Sequence, residues 1–194
     1  MTQPYHTIPE LDYAGSRSAA SRLDGIEEME PYCSGSSVLD LGCAEGLVSR
    51  ELARYGASVV HGFDFDEGRL GIANRLFVGL EQSGDLNYAF RRGDFKDIVA
   101  FCEQFARLLL DSYDIVLLLG VLHNLTGGEA RKFLHGLLPM CGKWLLIRGG
   151  LNRNWGISCF LRFYGFRQYK RILTGHEHTG TLRIFARREV LAAD

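Results

Sequence analysis

The sequence predicts a single α/β domain on a mainly parallel, doubly wound sheet. Three observations predict it. Short apolar runs alternate with helix-like segments from Ser37 onward. The run Tyr113 to Leu119 (YDIVLLL) is unbroken in its apolar character, as a strand buried on both faces should be. Two late extended runs are joined by the turn-prone TGHEHTG, which favours an antiparallel hairpin at the sheet edge. Alternation of this kind implies helices on both faces and right-handed crossovers.

The elements follow in order. The first 35 residues are polar and rich in Gly, Ser, Glu and Arg. They read as a lead-in or lid (1–35) with a helix over Ser18 to Met29, broken near Pro31 and by Ser34-Gly35. The domain proper is expected over 36–194. Its first strand is Ser37 to Leu41 and its first helix Leu47 to Tyr55. Ser58 to Phe63 and Glu67 to Leu80 make the second pair. Asn87 to Arg91 is a weaker strand, followed by apolar residues at helical spacing over Ile98 to Leu110. Tyr113 to Leu119 precedes a helix over Glu129 to Leu138, and Lys143 to Arg148 is the fifth strand. A short helix, Ile157 to Tyr164, leads into the extended runs Phe166 to Leu173 and Thr181 to Arg188.

Composition narrows the class. With 46% hydrophobic and 23% charged residues, the chain can bury a core and is not compositionally disordered. A net charge of -1, without a long basic run, argues against a dedicated nucleic-acid or membrane-surface protein. The five cysteines (Cys33, Cys43, Cys102, Cys141, Cys159) form no C-x-x-C pair, so small buried thiols in a reducing cytoplasmic setting are expected rather than disulfides or a zinc site. The start lacks the basic-then-apolar pattern of a secretory signal, and no apolar stretch reaches the ~18 residues that span a bilayer. His176 and His178 have no carboxylate companion beyond Glu177, and no metal site is expected.

The sharpest local signal is VLDLGCAEG, Val38 to Gly46. A buried strand ends at Leu41, and Gly42, Cys43, Ala44, Glu45 and Gly46 turn into a helix whose N-terminus and backbone N–H groups can approach a ligand. Asp64 follows the second strand twenty-two residues beyond Gly42, where an acid can accept hydrogen bonds from a ribose diol. Asp66 competes for that role but also suits a helix cap. Phe65 suits either an adenine face or plain packing. Asp94, in RRGDF, follows the third strand; adenine contact and helix capping both fit it, with Phe95 as an adjacent apolar wall.

On these residues the chain resembles the class I S-adenosylmethionine-dependent methyltransferases, from about Val38 through Arg188. The resemblance implies a Rossmann-like, seven-stranded sheet whose last strand is inserted antiparallel between its neighbours. It implies S-adenosyl-L-methionine as cofactor, with the methionine portion on Asp40, Gly42 and Gly46, the ribose on Asp64 and the adenine on Asp94. It also implies that the fourth strand, ending at Leu119, runs beneath the methionine toward the acceptor. Ala44 departs from the family's usual Gly. A nicotinamide-dependent dehydrogenase is the rival reading, but the spacing G42-x-A-x-G46 lacks the third position of G-x-G-x-x-G.

Methyl transfer requires alignment of the nucleophile, and removal of a proton where the acceptor carries one. His123 and Asn124, after the fourth strand, are the expected catalytic pair, as a general base and an orienting amide; both also suit structural duty at a loop mouth. In the lead-in, Tyr5, His6, Tyr13 and Arg17 are placed to fold over the cofactor; Tyr13 and Arg17 are the expected acceptor contacts, and Arg17 suits either the cofactor's carboxylate or an anionic acceptor. Asn152, Arg153 and Trp155 after the fifth strand are the others. The expected reaction is methylation of an oxygen or nitrogen on a small-molecule or glycan-like acceptor. RNA or protein methylation, or a noncatalytic partner protein, are the alternatives.

Overall fold

The computed structural model describes residues 5–80, 86–149, 155–173 and 180–192. Seven strands form one sheet: β1 (Ser37–Leu41), β2 (Val59–Asp64), β3 (Asn87–Arg92), β4 (Tyr113–Leu119), β5 (Cys141–Arg148), β6 (Phe166–Leu173) and β7 (Thr181–Arg187), in the order β3-β2-β1-β4-β5-β7-β6. Neighbours from β3 through β5 are parallel, while β7 runs antiparallel to both β5 and β6. The expected sheet is present, with the late hairpin at its edge and β7 as the inserted antiparallel strand.

The helices are α1 (Ala19–Leu23), α2 (Leu47–Arg54), α3 (Glu67–Val78), α4 (Ile98–Gln104), α5 (Gly127–Leu137), α6 (Trp155–Phe163) and α7 (Arg188–Leu191). Asp66 and Asp97 cap α3 and α4 by accepting from the N–H groups of Arg69 and Ala100. Thr126 and Glu129 make a capping box that starts α5 two residues before the expected Glu129. The helix expected over Ser18 to Met29 stops at Leu23, and a 3-10 stretch, Ile26–Tyr32, follows. The break falls at Gly25, whose φ is +82° and whose position leaves a Cβ only 3.1 Å from Ile172 and Leu182 side-chain carbons. Packing against the late hairpin ends this helix, well before Pro31 is reached.

β4 explains why its sequence shows no alternation. Ile115, Leu117 and Leu119 face one core with α2 and α3. Val116 and Leu118 face the other, with residues from α4, α5 and α6. Each such buried side chain stabilises the fold by roughly 1.5–3 kcal/mol, and the strand is thereby fixed in the middle of the sheet. Its carboxyl end, with those of β1, β2, β3 and β5, opens on one edge. Among the described residues no helix is long and apolar enough to cross a membrane.

Candidate active site

The turn after β1 is built by backbone handedness. Gly42 (φ +81°), Ala44 (φ +50°) and Gly46 (φ +72°) all occupy the left-handed region. A Cβ on Gly42 would lie 2.9 Å from Val121 Cγ2, and one on Gly46 would lie 3.0 Å from Ala73 Cβ. The N–H groups of Gly42 and Cys43 donate to the Phe63 carbonyl at 2.8 and 3.1 Å, which locks the turn to the end of β2. Ala44 bears the handedness at a cost glycine would not, about 1–2 kcal/mol. Ala44→Gly should raise the unfolding free energy by about 0.5–1 kcal/mol, the remainder being lost to greater chain entropy in the unfolded state. Urea denaturation checks this; an unchanged or lowered midpoint contradicts it.

Asp64 is buried, 4% exposed, and reaches the cleft. Its Oδ2 accepts the Ala44 N–H at 2.9 Å and its Oδ1 accepts the Asp66 N–H at 3.0 Å. A carboxylate has about four acceptor positions, so each oxygen retains capacity for a ligand. Phe65 stands beside it, 69% exposed on the cleft wall. Asp94 is also on the wall, accepting the Lys96 N–H at 3.0 Å. The cap of α4 belongs to Asp97 instead, so Asp94 is not held by that duty. Phe95 is half-buried between the wall and the rings of Phe101 and Phe133.

Asp40, Cys43 and Gly46 lie behind the wall. Asp40 accepts from Ser49 Oγ at 2.7 Å, while its Oδ1 has no hydrogen-bond partner among the described residues. Burial lifts its carboxyl to about 6, against the opposing pull of Ser49 and Arg22. Cys43 is a buried free thiol whose pKa is pushed up by burial, which disfavours its thiolate.

After β4 the wall continues through Leu119, Gly120 and Val121 to His123 and Asn124, both exposed on a 3-10 turn. Asn152 and Arg153 lie outside the described residues. Trp155 opens α6, its side chain likewise outside them.

The far wall comes from the chain's beginning. Residues 5–17 fold back on themselves through Thr7 N–H to Arg17 O (2.8 Å), Arg17 N–H to Tyr5 O (3.1 Å) and Ile8 N–H to Tyr13 O (2.8 Å). Gly15 permits the closure, because a Cβ there would lie 2.2 Å from the His6 carbonyl carbon. This strap is fastened to the β1 turn at Glu45, which accepts from the Tyr5 N–H and lies 2.8 Å from His6 Nδ1. The Tyr5 ring is flanked by the guanidinium groups of Arg17 (4.5 Å) and Arg69 (5.0 Å). Arg17 lines the cleft; Tyr13 does not, lying instead under Arg75 of α3 at 5.1 Å.

Two arginines join α1 to the sheet. Arg22 donates to the Leu119 carbonyl at 3.1 Å. Buried Arg148 donates to the carbonyls of Arg22 (2.6 Å), Ser21 (3.5 Å) and Asp24, terminating α1. Burial and the neighbouring Arg22 charge pull its guanidinium down to about 10. The cleft has a volume of about 1140 Å³. Its wall carries the cations Arg17, Arg22, Arg69, Lys96 and Arg148 against the acids Asp64 and Asp94. Arg22, Arg69 and Arg148 were not legible as site residues, since nothing in their local pattern marks which way they point. Among the described residues no group of three or more His, Cys, Asp or Glu is arranged to hold a metal ion.

Residues 38–141 match the family of methyltransferase domains. The chain is 32% identical over 141 residues to the O-antigen chain terminator bifunctional methyltransferase/kinase WbdD of Escherichia coli, an alignment covering 69% of this chain and 18% of that protein. It is 33% identical over 155 residues to a ubiquinone biosynthesis O-methyltransferase of Ruegeria pomeroyi, covering 78% of this chain and 56% of that one. The chain therefore spans less than two thirds of these relatives. In fold it is similar to the crystal structure of magnesium protoporphyrin IX methyltransferase from Synechocystis with bound S-adenosylmethionine: TM-score 0.67, 21% identity, 87% of this chain and 80% of that one covered.

Proposed function

Because the chain belongs to the class I S-adenosylmethionine-dependent methyltransferases, we propose that it transfers a methyl group to an oxygen or nitrogen of a small-molecule or glycan-like acceptor. The observation that carries the reading is the junction of the β1 turn with Asp64. Backbone there approaches the cleft without obstruction, and the acid beside it keeps free acceptor capacity.

The chain's residues fit S-adenosyl-L-methionine. The wall at Gly42, Ala44 and Leu119 takes the methionine portion, with Asp40 and Gly46 fixing the turn from behind. Arg22 is within the cleft to meet the carboxylate. Asp64 accepts from the ribose, while Phe65, Asp94 and Phe95 bound the adenine. The cofactor supplies a methyl group already activated on positively charged sulfur. The protein's part is to align the acceptor and exclude water, which residues 5–17 do as a cover over one side of the cleft. His123 and Asn124 contact the acceptor from the opposite side, with Arg17, Asn152, Arg153 and Trp155 as further contacts. The named reactions of the quinone-pathway and O-antigen relatives support a modest acceptor of this class. The free thiols support a reducing, cytoplasmic setting.

Calorimetric titration with S-adenosylmethionine and S-adenosylhomocysteine, with NAD as control, tests the cofactor reading. Binding of both adenosyl ligands and not NAD is expected; selective NAD binding, or no adenosyl binding by a folded chain, contradicts it. Methyl transfer is then screened over phenols, carboxylates and sugar hydroxyls.

A further inference from the structure

We infer that His6 and Glu45 form a proton-accepting pair on the cleft wall, with His6 Nε2 taking the proton of a hydroxyl acceptor and Glu45 acting as the positioning residue. The inference rests on the methyltransferase reading and adds to it a residue and a role.

Glu45 is fully buried in the turn between β1 and α2. One of its oxygens faces the Tyr5 and His6 N–H groups, and the other lies 2.8 Å from His6 Nδ1. An ionised carboxylate can only accept, so this contact puts a proton on Nδ1. The ring's remaining nitrogen then carries a lone pair. Among the described residues Nε2 has no hydrogen-bond partner, and it is not one of the fully enclosed polar atoms left unpaired. The residue itself lines the cleft with Ala44 and Asp64.

The ionised groups around the pair oppose one another. Burial disfavours the imidazolium most; Glu45 favours it; Arg22 and Arg17 disfavour it, and the net is a lowered His6 pKa. On Glu45, burial pushes the carboxyl up, but the bonds from His6 and the Tyr5 N–H outweigh it and lower it. The pair is thus neutral imidazole beside carboxylate at pH 7, the state a base requires.

The other described histidines differ. His61 and His135 are each held by a tyrosine hydroxyl away from the cleft. His123 lines the cleft but is exposed, and among the described residues no carboxylate fixes its tautomer. In the step itself, an acceptor oxygen lone pair bonds to the methyl carbon as the carbon–sulfur bond breaks, its electron pair staying on sulfur. The hydroxyl proton passes to Nε2, while Nδ1 keeps its own. The lowered pKa then returns the added proton to water between turnovers.

The test uses the full chain saturated with S-adenosylhomocysteine. Long-range ¹H–¹⁵N correlation spectra of histidine-labelled protein are expected to show His6 as the Nδ1–H tautomer at pH 7. Diethyl pyrocarbonate should ethoxycarbonylate Nε2, with a half-maximal rate below pH 6.5. In Glu45→Gln the amide carbonyl stays on the Tyr5 N–H and the NH₂ faces Nδ1. The proton then moves to Nε2, and reactivity should fall about tenfold or more. His6→Gln should retain S-adenosylhomocysteine binding and lower kcat by about 10²–10⁴-fold on any hydroxyl acceptor the wild type methylates. An Nε2–H tautomer in the wild type, or a His6 closed to the reagent in the complex, overturns the assignment and leaves the cofactor reading standing. Failure of the folded wild type to bind S-adenosylhomocysteine overturns both.

Discussion

Asp64→Ala is expected to lower the affinity for S-adenosylhomocysteine by about 10²–10³-fold. In the proposed site the carboxylate serves twice: one oxygen holds Ala44 N–H and the other Asp66 N–H, and both retain capacity for the ribose hydroxyls of the proposed cofactor. Two hydrogen bonds to a charged acceptor are together worth about 3–4 kcal/mol, which sets the size of the loss. The fold survives, because the Gly42 and Cys43 N–H groups still anchor the turn on the Phe63 carbonyl. Asp64→Asn falls between, since its amide can face only one of the two N–H groups with an oxygen. Calorimetry on variants with native-like circular dichroism checks this, and unchanged affinity in the alanine variant removes Asp64 from the ribose site.

Arg148→Met is expected to cost about 3 kcal/mol of stability and to loosen one region far more than the rest. The substitution keeps an apolar stem in place while depriving the carbonyls of Ser21, Arg22 and Asp24 of their donor. Each buried acceptor left unpaired costs about 1–3 kcal/mol, partly offset because burial of the guanidinium itself is unfavourable, as its pKa near 10 shows. A helix of five residues cannot hold itself together once its end is released. Urea unfolding should show the global loss, and hydrogen exchange should show early opening of residues 19–24 with β1 and β4 still protected. Uniform loss of protection would mean that Arg148 supports the sheet rather than α1.

The sheet was legible because strands buried on both faces, helix periods and turn residues each leave a local mark. β4 is the plainest case: its two sets of side chains feed two cores, so alternation vanishes and only uninterrupted apolarity remains. The acids at the end of β2 and just after β3 could be located for the same reason, as their place at the strands' carboxyl ends follows from the repeat. The helix over Ser18 to Met29 was overextended, since the contact of Gly25 with Ile172 and Leu182 joins positions far apart in sequence. The fastening of His6 to Glu45 spans thirty-nine positions and has no periodic signature. Tyr13 and Arg17 sit four residues apart and read alike, yet the strap's reversal sends one under Arg75 and the other to the cleft.

The insertion of β7 between β5 and β6 imposes an order on biosynthesis. A chain emerging from the ribosome makes β5 and then β6, but neither can use its facing edge until Thr181–Arg187 has followed. The nascent protein therefore carries exposed main-chain donors and acceptors on strands rich in apolar and aromatic residues, a surface prone to recruiting foreign strands. Stalled chains that stop short of Thr181 should depend on chaperones to stay soluble, because β7, the latest of the seven strands in chain order, is the one that closes the gap between β5 and β6.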